Sequence, residues 1–202
     1  MRYGIYLAHM NPLTKAHEEI IREMKNDDNS IVIMPVIFCR KNIEINSRSF
    51  PFSFQMRKEM LESVFGDTIS VSENYTFNAP YFKYMPPLLS PFSWNLRRRI
   101  RQGMNHNYFT YTGDKVEGYM LKAYNLHPKI GKRKEISASS TKEKMYASIL
   151  EKKNTDWESD VSDKVREIIL KNWQVLEKFA IQDDQTTRIM GMKFPKEGYW
   201  YA

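Results

Sequence analysis

Apolar residues in this chain fall into short continuous runs and into stretches at helical spacing, and the two kinds alternate. Residues 3–8, YGIYLA, are a short apolar run with β-favouring Tyr and Ile, a predicted strand that Asn11-Pro12 ends as a turn. Thr14 is placed to cap a helix over about residues 15–25, with Glu18 and Glu19 suited to its positive first turn. SIVIMPVIF (30–38) is almost continuously apolar and predicts one strand covered on both faces of a parallel sheet. FSFQMRKEMLESVF (52–65) carries Phe52, Met56, Met60 and Val64 at helical spacing, and TISVS (68–72) predicts a third strand.

From 73 to 92 the pattern weakens into a segment rich in Pro, Tyr and Phe, which predicts a long ordered loop. Helical spacing returns at 94–104. YFTYTGD (108–114) predicts a fourth strand running into a turn, followed by the helix KVEGYMLKAYN. A weak strand near 134–137 precedes the helix of SSTKEKMYASILEKK, and DVSDKVREIILKNWQVLEKFA (160–180) reads as one amphipathic helix. The tail from 181 has no firm assignment. The alternation predicts an α/β protein with a Rossmann-like, doubly wound parallel sheet and a C-terminal helical extension. Residues 1–152 form the α/β domain on this reading, with the helix and tail of 153–202 packed on it. Ligands bind such sheets beyond the carboxyl ends of the strands, which singles out the turns at 9–17, 39–42, 73–77, 112–114 and 137–142.

Composition narrows the picture modestly. Hydrophobic residues are 42% and charged residues 27% of the 202, so neither disorder nor a membrane span is expected. The N-terminal apolar stretch is too short for a signal peptide, and Cys39 is the only cysteine, so a reducing cytoplasm is the expected setting. The net charge of +7 favours anionic partners without choosing among them. Part of it lies in NLRRRIRQG (95–103) and KIGKRKE (129–135). Arg97, Arg98, Arg99 and Arg101 spread around a helix and form no single stripe, so a solvated helix with one or two ligand-facing arginines is expected. Nucleic acid is a disfavoured partner on that ground. The 160–180 helix is expected to pack on the core or on a second subunit, which leaves a homo-oligomer open.

The chemistry gathers at two helix starts. Pro12 fixes the chain as it leaves the first strand, Thr14 offers a hydroxyl, and His17 projects from a first turn whose free N–H groups and dipole favour an anion. ISASSTK (136–142) repeats the arrangement: Ser137, Ser139 and Ser140 can hold phosphate oxygens or cap a helix, and Lys142 can neutralise charge there.

NPLTKAH resembles the Asn-Pro-x-Thr-x-x-His form of the first signature of the nucleotidylyltransferase superfamily, and ISASSTK resembles its second signature, Ile-Ser-x-Thr-x-x-Arg. The order and the separation of about 120 residues agree. Within the superfamily the Asn-Pro and the Thr are most like nicotinamide or nicotinate mononucleotide adenylyltransferases, and the likeness covers roughly residues 1–150. MPVIFCRKNIEI, SFQMRKEM and YTGDKVEGYM are similar to further stretches of that family. The departures are Ala8 for Gly, His9 for Ser or Thr, Ala16 for Gly, Ser139 for Thr and Lys142 for Arg.

The resemblance implies transfer of AMP from Mg²⁺-ATP to the phosphate of a mononucleotide, with release of pyrophosphate. It implies catalytic roles for His17, Thr14 and Lys142, and ATP phosphate contacts from Ala8, His9, Asn11, Ser137, Ser139 and Ser140. For the acceptor it implies Lys41, Arg57 and Asp114, with Tyr75 or Trp94 stacking on the ring. No protein ligand set for a metal is expected. A cytidylyltransferase, an adenylyltransferase with another acceptor, and a non-catalytic nucleotide- or RNA-binding protein remain the alternatives.

Overall fold

A computed structural model describes residues 2–25, 30–104, 107–113, 115–132, 134–189 and 192–201. Five parallel strands form the central sheet: β1 (Tyr3–Ala8), β2 (Ser30–Pro35), β5 (Ile69–Val71), β7 (Tyr108–Thr112) and β8 (Pro128–Ile130), in the order β5-β2-β1-β7-β8. Every neighbouring pair is parallel, and Tyr3 sits opposite both Ser30 and Tyr108. The chain builds outward from β1 in one direction, then returns to build outward in the other. The sheet is therefore the doubly wound, Rossmann-like one expected, with its topological switch point between β1 and β7.

Period-two alternation divides the core into two layers. Ile5 and Leu7 of β1 face one side with Met34, Leu96, Leu121 and Phe77, and Tyr6 faces the other with Ile31, Ile33, Phe109 and Ile21. Helices α1 (Lys15–Lys25), α2 (Phe54–Phe65), α5 (Ala138–Glu151), α6 (Asp163–Lys171) and α7 (Trp173–Ala180) cover the Tyr6 side. Helices α3 (Pro91–Ile100) and α4 (Lys115–Ala123) cover the other. Burial of each Ile, Leu or Phe in these layers contributes about 1.5–3 kcal/mol. Gly4 lets α1 approach the sheet: a Cβ there would lie 2.9 Å from Ile31 Cδ1 and 3.0 Å from Met24 Cε.

The structure corrects the sequence reading at several elements. The run 30–38 is two strands, because the chain leaves the central sheet at Val36 and continues as β3 (Ile37–Arg40) in a second sheet with β4 (Ile43–Glu44) and β6 (Thr76–Asn78), ordered β4-β3-β6. Both halves are buried, so their hydrophobicity carries no mark of the change of sheet. The segment expected as a loop at 73–92 contains β6 and a 3₁₀ turn, and α3 starts at Pro91 because Ser90 accepts from the N–H of Ser93. The fifth strand lies at 128–130, earlier than expected.

The single helix expected over 160–180 breaks at Asn172, whose side chain donates to the Ile168 carbonyl at 2.8 Å. Both halves still pack in the core through Val165, Ile169 and Leu176. The unassigned tail forms an antiparallel hairpin, β9 (Thr186–Ile189) with β10 (Met192–Pro195). Phe194 of β10 is fully buried against Phe38, Phe77, Tyr81 and Tyr199. Among the described residues no helix is long and apolar enough to cross a membrane.

Candidate functional site

Beyond the carboxyl ends of β1 and β7, a cleft of about 410 Å³ opens at the switch point, within the size range of small-molecule sites. His17 on the first turn of α1 and Ser137 at the start of α5 both line it, so the fold joins the two helix starts that the sequence places far apart. Lys115, Lys132, Lys134 and Arg188 line the same cleft. The arrangement suits a polyanion: two helix N-termini, a hydroxyl, an imidazole and a set of cations facing one volume.

Thr14 sits at the N-cap of α1, where its carbonyl accepts from the Glu18 N–H at 3.0 Å. Its backbone N–H donates to Nδ1 of His17 at 3.2 Å, and its hydroxyl lies 2.9 Å from the same nitrogen. Three residues into the helix, His17 thus takes the part that Glu or Gln plays in a capping box. An amide N–H can only donate, so Nδ1 must accept, and the neutral ring carries its proton on Nε2. Burial, and then the charge of Lys142, hold the His17 pKa down to about 4, which keeps the ring neutral at pH 7. Nε2–H is the donor left for a ligand.

At the second helix start, the Ser137 hydroxyl accepts from the Ser140 N–H at 3.1 Å and caps α5. Ser139 and Ser140 are exposed on the first turn of α5 and do not line the cleft. Lys142, expected to meet phosphate, faces inward instead. Its ammonium donates to the carbonyl of Asn11 at 2.6 Å and to that of Ala138 at 3.2 Å, with only 6% of the residue exposed. Burial, reinforced by the charge of Lys193, lowers its pKa to about 7. Lys142 therefore ties α5 to the strand-one turn and is not among the residues lining the cleft.

Several other expected contacts are structural. The Asn11 amide donates to the Phe52 carbonyl at 2.7 Å and accepts from the Phe52 N–H at 3.1 Å, a buried clasp that commits its side chain to the backbone entering α2. Arg57 is buried and donates to the carbonyls of His9 and Val36 and to Glu44, stapling the end of β1 to the point where the chain changes sheets. It is not among the residues lining the cleft. Ala8 ends β1 and accepts from the Val36 N–H. His9 stacks on Phe50 at 4.9 Å, and burial, with Arg57 and Lys142 nearby, lowers its pKa to about 3. Neither Ala8 nor His9 lines the cleft.

The ring of Tyr75 is buried, with the Arg97 guanidinium 5.2 Å from its centroid, so it is a core residue and not a stacking platform. Trp94 is partly exposed, packs edge-on to Tyr124, donates its indole N–H to the Leu88 carbonyl at 2.8 Å and does not line the cleft. Lys41 is exposed in the left-handed turn between β3 and β4. Asp114 lies outside the described residues. Of the four arginines on α3 and just beyond it, Arg97 departs from the solvated-helix expectation. It is buried between Tyr75 and Tyr124, and its Nε and Nη1 lack a protein partner. A cavity of about 20 Å³ beside it has room for roughly one water.

The cations that line the cleft are residues that sequence reasoning did not single out individually. Lys132 and Lys134 belong to the basic run at 129–135, which the charge pattern flagged. Lys134 forms ion pairs with Glu19 and Glu23 of α1, both at 2.7 Å, so its loop is fixed against that helix. Gly131 makes the approach of this loop to β7 feasible: a Cβ there would fall 1.7 Å from the Tyr111 hydroxyl. Arg188 comes from the hairpin, for which the sequence carried no signal. Among the described residues no three His, Cys, Asp or Glu side chains gather to hold a metal ion.

No family model matches the chain, and no curated protein matches it in sequence. Solved structures do match in fold. A bifunctional NMN adenylyltransferase/ADP ribose pyrophosphatase from Francisella tularensis superposes with a TM-score of 0.56 at 17% identity, over 87% of this chain and 54% of that one. The same bifunctional protein complexed with AMP and a Mn ion gives 0.55 at 15% identity. The chain thus spans about half the length of the Francisella protein. A nicotinic acid mononucleotide adenylyltransferase from Plasmodium falciparum, complexed with APC, gives 0.50 at 13% identity over 90% of this chain and 99% of that one. At these identities the likeness establishes a shared fold.

Proposed function

We propose that the chain is a nucleotidyltransferase that moves AMP from Mg²⁺-ATP to the phosphate of a mononucleotide, with nicotinamide or nicotinate mononucleotide as the leading acceptors. The observation that carries the reading is the Thr14–His17 pair. It leaves a neutral imidazole with its Nε2–H available in a cleft that Ser137 and several cations also line. The fold neighbours described above include NMN and nicotinic acid mononucleotide adenylyltransferases, which supports it.

A phosphate oxygen of the acceptor attacks the α-phosphorus of ATP, the bond from that phosphorus to the bridging oxygen breaks, and pyrophosphate leaves with the electron pair. The nucleophile is already an anion, so no general base and no covalent enzyme intermediate is needed. The protein's contribution is placement and charge stabilisation. His17 Nε2–H would donate to a phosphate oxygen, and the N–H groups of α1 and α5 would face the developing negative charge. Mg²⁺ would arrive on the triphosphate as part of the substrate, since the cleft offers cations and hydroxyls.

The test is pyrophosphate release from Mg²⁺-ATP with a panel of phosphate acceptors, with products identified by mass. A dinucleotide from either pyridine mononucleotide supports the reading. Folded protein that releases no pyrophosphate with any acceptor or triphosphate would overturn it in favour of a binding role.

A further inference from the structure

We propose that Arg188, on the C-terminal hairpin, grips the β- and γ-phosphates of the nucleotide and supplies the charge that the second signature directs elsewhere. This rests on the reading of the cleft as the site for ATP.

The first support is the diversion of Lys142. Its buried ammonium is engaged by the carbonyls of Asn11 and Ala138, and it does not line the cleft. A cation at that sequence position would serve the leaving pyrophosphate only if it faced the same volume as His17 and Ser137. Arg188 does face that volume, with Lys115 and Lys132.

The second support is how the hairpin is held. β9 pairs with β10 in register, Arg188 opposite Lys193. Phe194 anchors β10 in the aromatic core, while Lys193 bonds Ser49 Oγ at 2.9 Å and Asp184 Oδ2 at 3.1 Å. Ile189, next to Arg188, lines the small apolar cavity beside Leu96 and Phe77. Side chains alternate along a strand, so seating Ile189 on the core turns Arg188 toward the cleft. Its main chain is pinned before any ligand arrives, which limits the ordering cost of binding. A guanidinium also matches phosphate geometry through two parallel N–H bonds, which a lysine ammonium cannot reproduce.

Arg188→Ala and Arg188→Lys are compared with the unaltered protein by calorimetric titration with Mg²⁺-ATP, inorganic triphosphate and AMP, alongside thermal melting. Arg188 is exposed, and melting shows whether each variant remains folded at the titration temperature. Arg188→Ala is expected to weaken binding of Mg²⁺-ATP and of inorganic triphosphate by about 10- to 100-fold and to leave AMP binding alone, with partial recovery in Arg188→Lys. Triphosphate binding by folded Arg188→Ala at the unaltered affinity would overturn the assignment. Loss of AMP binding to the same degree would overturn it too, because the grip would then not be on the outer phosphates. These readouts need no turnover: an unaltered protein that binds Mg²⁺-ATP but transfers nothing refutes only the catalytic reading, and one that binds none of the three refutes both.

Discussion

Nδ1 of His17 accepts from the backbone N–H of Thr14 at 3.2 Å and lies 2.9 Å from its hydroxyl, so one imidazole both closes a helix start and presents a donor to the cleft. The two roles can be separated. His17→Ala should lower adenylyl transfer by about 10²- to 10³-fold, the scale for removing a donor to transition-state charge. His17→Glu can restore the cap through its carboxylate, so it should melt near the unaltered protein yet remain as inactive as the alanine variant. Turnover by His17→Glu above that of His17→Ala would show that the cap alone matters. Melting curves and single-turnover rates provide the comparison.

The pH profile should reflect the depressed pKa of His17. An imidazole with an ordinary pKa of 6.5 would be half-protonated there, losing its Nδ1 acceptor, whereas this one stays neutral down to about 4. The His17-dependent part of kcat/KM should therefore be flat from pH 8 to below 6 and fall toward pH 4. Comparison with His17→Gln isolates that part, and a limb centred near 6.5 would contradict the assignment.

Lys142 makes a stability prediction of definite sign. Its pKa is about 7 in the fold and near 10.5 when the chain is unfolded. Between those values the unfolded state binds more protons, so the fold gains stability as pH rises. Relative to Lys142→Met, the unaltered protein should gain on the order of 2 kcal/mol between pH 6.5 and pH 9, at about 1.4 kcal/mol per pKa unit. Urea unfolding at the two pH values checks this, and a constant difference would place the ammonium in water.

Asn11→Ala removes both halves of the clasp on Phe52 and leaves buried backbone groups unpaired. A loss of about 2–4 kcal/mol in unfolding free energy is expected, with the KM for ATP changed less than twofold in protein that remains folded. A large rise in KM with unchanged stability would return Asn11 to the ligand contacts.

These outcomes track what the chain could disclose before folding. The β1–turn–α1 unit and the Ser137 cap rest on local chemistry: a short apolar run, a proline, a hydroxyl before a helix. Such features are legible residue by residue. The split of 30–38 into two strands is not, because Ile33 and Phe38 are equally apolar and only their partners differ. Asn11 and Lys142 look like ligand contacts in a linear reading because each is polar and sits in a signature, and Arg57 does because SFQMRKEM resembles a further stretch of the family. The fold gives each a buried backbone partner dozens of residues away, which no local pattern encodes. Tyr75 looks like a platform because it is an aromatic just beyond the third predicted strand, and Arg188 lies in a tail that carries no pattern.

Asn11 is where three remote pieces of chain meet: its side chain holds the entry to α2, and its carbonyl receives the ammonium of α5. Breathing at the strand-one turn would have to release all of these bonds at once, so slow fluctuations there should be rare. Its amides should exchange with solvent only in step with global opening. On the proposed reading, a nucleotide would then enter and leave past the walls, where the lysine loop and the hairpin stand, so the tempo of binding would belong to those two elements.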